Sequence, residues 1–418
     1  MSKSKIITVL DIGSGSIKIL SVVKKPNDSG FEVLWQGEEP SFGVRKGVVV
    51  NVLKVSEIVS SLIKRAEEES GQKMNEVYAS VGGSHLFSAF SKGLVSVSCA
   101  DQKISEEDVE RVLHHAERTF PLPSSNTKII DAFTKEFIID GEGGVKDAVG
   151  MKGVRLEASV LVLCGLTPYL KNSDQAIADA GFKLNKLIPS PLASSRAVVT
   201  AREEELGVCV LDIGARTTSM AVLEEGMLIH SSVFPIGSGH ITDDLATCLK
   251  TDIDTAEKIK VEFGSCSNSS RRPNRADKKI KIKPFRKDIG MGNEDEELII
   301  STKKLTEIIE ARVSDILDLT NKELKKISRQ GLLPAGVILT GGGSKMPGII
   351  GLTKKELKLP CRIGISQEIP AFQEDPALST LYGLALEAND DMEREEEPSW
   401  VSGRVKDKIK RILRVFIP

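Results

Sequence analysis

The feature that most constrains this chain is a strand-turn-strand that occurs twice. The first copy runs Ile6-Ile7-Thr8-Val9-Leu10, turns through Asp11-Ile12-Gly13-Ser14-Gly15-Ser16 and returns as Ile17-Lys18-Ile19-Leu20; the second runs Val208-Cys209-Val210-Leu211, turns through Asp212-Ile213-Gly214-Ala215-Arg216-Thr217-Thr218 and returns as Ser219-Met220-Ala221-Val222. β-Branched apolar runs on both sides of a Gly/Ser/Thr turn predict hairpins with a carboxylate at each tip. A strand follows each turn, so neither is a dinucleotide fingerprint, which needs a helix there. The interval between the copies is far longer than the roughly 20 to 50 residues of a solenoid or propeller repeat. Two halves of one duplicated α/β architecture are expected instead.

Backbone N–H groups in such turns form concave anion sites, and an Asp at a strand end can hold a divalent cation through water. Phosphate together with Mg²⁺ uses both, which makes Asp11 and Asp212 the candidate metal-side carboxylates. A third stretch fits the same ligand: Ala335 to Thr340 reads as a strand, Gly341-Gly342-Gly343-Ser344 as a turn, and Pro347 marks the start of a following helix. Glycines without Cβ let a flat ligand lie against the backbone.

This constellation resembles the actin-like ATPase superfamily, in which two phosphate hairpins and a Gly-rich adenosine turn close on one nucleotide between two lobes. Within it the chain is similar to the FtsA family of bacterial cell division. The likeness extends through Gly150-Met151-Lys152-Gly153-Val154-Arg155, Leu192-Ala193-Ser194-Ser195, Glu205-Leu206-Gly207-Val208-Cys209 and Gly239-His240-Ile241-Thr242. It implies ATP and Mg²⁺ as ligands, with Gly13, Ser14, Gly15, Ser16 and Lys18 on the first phosphate side and Gly214, Arg216, Thr217 and Thr218 on the second. Gly341, Gly342 and Gly343 would form the adenosine turn, and Gly239 is a further candidate nucleotide contact. Glu257 and Lys260 are candidate adenine or ribose contacts, an ordinary surface ion pair being the alternative. The implied partners are the FtsZ C-terminal tail, other copies of the chain in filaments, and later division proteins; Arg312 resembles a basic position of the family's FtsZ-tail site. The implied place is the cytoplasmic face of the membrane at the septum.

At 418 residues the chain exceeds one ordinary core, and 40% apolar with 28% charged residues is a soluble composition. A formal charge of −2 gives no support to nucleic-acid binding. The nine Lys or Arg between Arg271 and Lys287 lack interleaved aromatics apart from Phe285, so a solvated loop is expected there. Six cysteines at scattered positions form no zinc spacing with the histidines, and His114-His115 reads as a solvated helix position. No signal-peptide or membrane-spanning run is read.

The expected organisation is a first lobe over 1–83, a small inserted α+β domain over 84–163 and the first lobe continued with a crossing connection over 164–205. A second lobe follows over 206–386, with a subdomain at about 237–325 and the last helix at Leu378 to Leu386. Inside the inserted domain, Ser105 and Asp108 open a helix with a capping-box pattern.

Residues 387–403 are acidic and apolar-poor, the composition of a linker. In 404–418, Val405, Ile409, Ile412, Leu413 and Phe416 fall on one helical stripe, with Lys406, Lys410, Arg411 and Arg414 opposite. A basic amphipathic helix of this kind suits an anionic membrane surface, each basic residue contributing roughly 1 kcal/mol near the lipid. A helix docked on the protein's own core is the alternative.

Two other readings of the same superfamily are a small-molecule kinase, which would need a substrate-side base and has no use for the tail, and a pilus-assembly actin-like protein, expected to lack it. No catalytic residue is identified. The second hairpin departs from the family's usual Asp-x-Gly-Gly-Gly-Thr, with Ala215 and Arg216 replacing glycines and Ser219 where a carboxylate is expected. Arg216 on a terminal phosphate and no group to orient water imply a chain that holds ATP and hydrolyses it slowly at most.

Overall fold

The computed structural model describes residues 6–24, 30–266, 279–282, 298–366 and 375–396. The duplication appears as two sheets of the same plan. In the first lobe the strands lie in the order Lys183–Pro189, Glu76–Val81, Ile6–Ile12, Ser16–Lys24, Phe31–Pro40. In the second the order is Cys361–Ile363, Gly336–Thr340, Val208–Ile213, Thr218–Glu224, Met227–Phe234. Each is an antiparallel three-strand meander whose first strand also pairs in parallel with a later strand. The parallel neighbours are reached through helices, Val52–Ser70 in the first lobe and Thr302–Lys326 in the second. Both sheets are therefore covered, and their central strands are near-continuous apolar runs.

Each lobe has its own core. Val55, Val59, Leu62 and Ile63 of helix Val52–Ser70 pack with Leu10, Ile12, Ile17 and Ile19. Ile309, Val313, Ile316 and Leu317 of helix Thr302–Lys326 pack with Leu211, Ile213, Met220 and Val222. A further cluster joins the lobes: Val9, Leu20 and Tyr78 from one and Val210, Ala221 and Ile338 from the other surround Leu381, Tyr382, Leu384 and Ala385 of the last helix.

The inserted unit comprises the helix Glu106–Thr119 and the strands Phe87–Ser96, Thr127–Ile139, Glu142–Val145 and Arg155–Leu166. Its helix opens with the expected capping box of Ser105 and Asp108. Although it interrupts the first lobe in sequence, its sheet continues from the edge of the second through one register pair, Ser232 opposite Phe87. Ser88 Oγ fixes that edge, accepting from Ser231 N–H and donating to Ser231 O, both at 2.9 Å.

The last helix differs from expectation. It spans Ser379–Glu396, so the first part of the stretch read as a linker is helical. Ala388 is wholly buried and Glu387 nearly so. Asp391 pairs with Lys186 at 2.9 Å, Asp390 with Arg196 at 3.6 Å, and Glu393 with Lys24. Acidic composition signals solvation only when no cations face it, and here the first lobe supplies them. Residues 397–418, with the amphipathic segment, and almost all of the basic stretch 271–287 lie outside the described residues. Among the described residues no helix is long and apolar enough to cross a membrane.

Candidate functional site

The two hairpin tips and the Gly-rich turn meet in one cavity of about 280 Å³ between the lobes. Asp11, Gly13, Ser14, Gly15, Ser16 and Lys18 line it from the first hairpin, Asp212, Gly214, Ala215 and Thr217 from the second, and Gly341 and Gly342 from the third turn. The tips approach closely: a Cβ on Gly15 would stand 2.8 Å from that of Ala215. Lys18 lies opposite Asp11 on one side and Glu38 on the other in the sheet register, between two carboxylate-bearing strands.

The carboxylates are held by hydroxyls from neighbouring elements. Ser80 Oγ donates to Asp11 Oδ1 at 2.7 Å and accepts from Ile12 N–H at 3.1 Å. Thr380 Oγ1 donates to Asp212 Oδ2 at 2.7 Å. Asp212 exposes surface only at the cavity wall and is otherwise surrounded by protein; burial, followed by repulsion from Asp11, pushes its carboxyl up to about 6 against the pull of Thr380 and Lys18. Gly341 has φ 79° and a Cβ there would lie 2.2 Å from Asp212 Oδ1, so this position admits no larger residue.

Several sequence-expected residues stand back from the wall. Thr218 is buried and donates to Ile236 O at 2.8 Å. Gly343 packs on Ile213, and the Gly239 N–H is bonded to Ala215 O at 2.7 Å. Glu257 and Lys260 are not wall residues and pair with each other: the exposed Glu257 accepts at 2.7 Å from Lys260, which is itself buried and also donates to Thr242 Oγ1 at 3.0 Å behind Ser238, a residue that does line the cavity. Arg216 turns away to Asp243. Arg312 does not line the cavity and is bidentate to Asp244, the neighbour of Asp243, at 2.7 and 2.9 Å. Neither Ala215 nor Arg216 has positive φ, so the replacement of glycines leaves the turn unstrained.

Glu38, Ser80, Ser190 and Thr380 are wall residues the motifs do not announce. Ser80 was within reach of sequence reasoning, because strand Glu76–Val81 pairs in parallel with strand Ile6–Ile12 and brings position 80 beside position 11. Thr380 has no local signal.

Among the described residues no group of three or more His, Cys, Asp or Glu could cage a metal. Two carboxylates facing one anion-binding turn are nevertheless the donor set of a Mg²⁺ that keeps its waters and shares a phosphate ligand. The residues therefore fit such an ion.

A duplicated two-lobe sheet plan with paired hairpins at an interlobe cavity defines the actin-like fold. Solved structures share it: the PilM–PilN type IV pilus biogenesis complex superposes with TM-score 0.62 at 17% identity, covering 91% of this chain and 98% of that one. MreB5 of Spiroplasma citri, solved bound to ADP, gives 0.59 at 13% identity over 94% and 99%. The chain belongs to the FtsA family of cell division proteins. Residues 209–383 match the family model "Cell division protein FtsA" and residues 83–164 match "SHS2 domain inserted in FTSA". Cell division protein FtsA of Pseudomonas aeruginosa is 31% identical across 92% of this chain and 90% of its own length. That of Borreliella burgdorferi is 32% identical across 98% and 97%.

Proposed function

We propose that the chain is an ATP-binding adaptor that tethers FtsZ filaments to the cytoplasmic face of the membrane at the septum, assembles with copies of itself and recruits later division proteins. The observation that carries the reading is the convergence of Asp11, Lys18, Asp212 and the Gly341-Gly342 turn on one interlobe cavity in a member of the FtsA family. Lys18 takes the phosphate side, with the hairpin turns cradling the phosphates and Gly342 facing the nucleoside. Bound Mg²⁺ would neutralise phosphate charge between Asp11 and Asp212. Its need is a matter of charge: among the described residues the wall carries three carboxylates, Asp11, Glu38 and Asp212, against the single ammonium of Lys18. A bare triphosphate is repelled by that wall, so affinity depends on Mg²⁺.

Hydrolysis is at most slow. Orienting an attacking water takes a suitably placed free acceptor; Asp11 and Asp212 would be taken up by Mg²⁺, Glu38 already accepts from Ser16 Oγ at 3.2 Å, and among the described residues the wall contains no His, Gln or Asn. Where the second hairpin meets the crossing connection, only the hydroxyls of Ser190 and Ser219 face each other, at 3.2 Å. The nucleotide then acts as a conformational clamp between lobes. The basic amphipathic pattern of 404–418 supports the membrane role, with Val405, Ile409, Ile412, Leu413 and Phe416 toward lipid.

The test is co-sedimentation of the full chain with anionic liposomes, with and without Mg·ATP and purified FtsZ. FtsZ should pellet only with the chain present, and deletion of 401–418 should abolish pelleting without lowering the melting temperature. Retained pelleting after deletion would refute the tail's role. Absence of ATP binding would refute the reading of the cavity.

A further inference from the structure

Arg216 occupies an unusual place. Its neighbours Ala215 and Thr217 both line the cavity, whereas its own side chain runs across Gly239, where a Cβ would stand 3.3 Å from Arg216 Nε, to Asp243 in the first turns of helix Gly239–Leu249. Arg216 Nη2 donates to Asp243 Oδ1 at 3.2 Å and Nη1 donates to Oδ2. The two side chains are 38% and 40% exposed. An ion pair so open to water contributes little, because Coulomb attraction is screened and two long side chains must be ordered.

The backbone at its root is, by contrast, firmly set. Gly214 N–H bonds Thr217 O at 2.9 Å, Ser238 N–H bonds Gly214 O at 2.8 Å and Gly239 N–H bonds Ala215 O at 2.7 Å. A rigid turn thus carries a guanidinium with a replaceable partner. Asp243 has a second cation nearby, since Arg312 is held charged first by Asp244 and additionally by Asp243. Releasing Arg216 does not strand an isolated carboxylate.

Among the described residues Lys18 is the only cation on the wall. A guanidinium's two parallel N–H donors match phosphate oxygens as well as they match a carboxylate, and a phosphate group carries close to two negative charges where Asp243 carries one. We propose that Arg216 is the residue by which this chain distinguishes a nucleoside triphosphate from a diphosphate, exchanging Asp243 for the terminal phosphate when a triphosphate fills the cavity. The proposal rests on the nucleotide reading of that cavity.

The experiment measures Mg·ATP and Mg·ADP affinities by calorimetry on the full chain and on Arg216→Ala, Arg216→Lys and Asp243→Asn, with melting temperatures taken alongside. Arg216→Ala should weaken ATP at least tenfold and ADP less than twofold. Arg216→Lys should recover part of the loss, because it keeps the charge without the fork. Asp243→Asn should tighten ATP by removing the competing carboxylate. Equal loss for both nucleotides, or none for either, overturns the proposal and leaves Arg216 as a staple between hairpin and helix. A wild-type chain that binds neither nucleotide overturns the cavity reading itself and the proposal with it.

Discussion

Thr380, at the start of the last helix, donates its hydroxyl to Asp212, at the tip of the second hairpin, at 2.7 Å. The bond ties the helix that fills the interlobe seam to the wall of the interlobe cavity. The same helix ends at ion pairs with Lys186 and Arg196 of the first lobe. At ~1.5 Å per residue, one rigid rod of this kind crosses most of a domain and links the cavity to the point where the C-terminal segment departs.

The Asp212 carboxyl gives the first prediction. Burial and Asp11 raise it from 3.8 to about 6, so without ligand the folded chain retains a proton that the unfolded chain has released. Stability contributed this way is complete below 3.8 and is lost as pH rises through about 6. Asp212→Asn removes the charged form and should stabilise the nucleotide-free protein at neutral pH by up to about 3 kcal/mol relative to its effect in mild acid. Urea unfolding at pH 4.5 and 7.5 measures it, and with Mg·ATP present the ranking should invert.

The Gly-rich turn gives a second. Gly341 and Gly343 are needed by the fold, since a Cβ on either would stand 2.2 Å from Asp212 Oδ1 or 2.4 Å from Ile213 Cγ2. Gly342 is different: a Cβ there meets only Ala377, at 3.9 Å, and the residue lines the cavity. Gly342→Leu should therefore fold with a nearly unchanged melting temperature and lose ATP binding by at least tenfold. Unimpaired binding would detach this turn from the nucleotide.

Much of this was legible in the sequence. The repeated Leu-Asp-Ile-Gly and the triple glycine identify both hairpins and the third turn, because their chemistry is local: a strand end, a carboxylate, residues without bulk. Thr380 was not legible, because it reaches Asp212 only through packing of a helix distant in sequence. The acidic run Asp390-Asp391 misled for a related reason, since composition shows charge without showing Lys186 and Arg196 opposite. For Glu257 and Lys260 the alternative of an ion pair is the one seen, with Glu257 exposed and Lys260 buried, because helical spacing gives a pair and not how deeply each member sits.

A third prediction concerns the edge of the second lobe. Glu203 accepts from Arg362 Nε and Nη2, both at 2.7 Å, and from Thr200 N–H at 3.0 Å as part of a capping box. Burial alone would raise its carboxyl, but Arg362 and Thr200 outweigh it and bring the value down to about 2. The resulting stability is present above 4.5 and is lost as pH falls toward 2. Glu203→Gln should cost about 1–2 kcal/mol at pH 7, discounted because Arg362 is partly open to water. The difference from wild type should shrink between pH 4.5 and 3, as thermal unfolding across that range would show.

The last prediction tests the interlobe seam. Gly383 lies where helix Ser379–Glu396 crosses helix Ser190–Val198, and a Cβ there would come within 1.6 Å of the Ala193 carbonyl oxygen. That neighbour is backbone, so relief requires the helices to separate. Separation strips packing from Leu381, Tyr382 and Leu384, all buried against strands of both lobes. Gly383→Ala would gain helix propensity on an exposed surface, by up to about 1 kcal/mol. Here overpacking should exceed that gain and leave a net loss of about 1–3 kcal/mol. Because Thr380 lies on the same helix one turn earlier, the shift should also displace its hydroxyl from Asp212. Nucleotide affinity should therefore fall together with stability, although residue 383 does not line the cavity. Denaturant unfolding and Mg·ATP calorimetry on the same preparation check both. A variant as stable as wild type would show that the helices can part at little cost, and one destabilised with unaltered affinity would show that the rod does not reach the cavity.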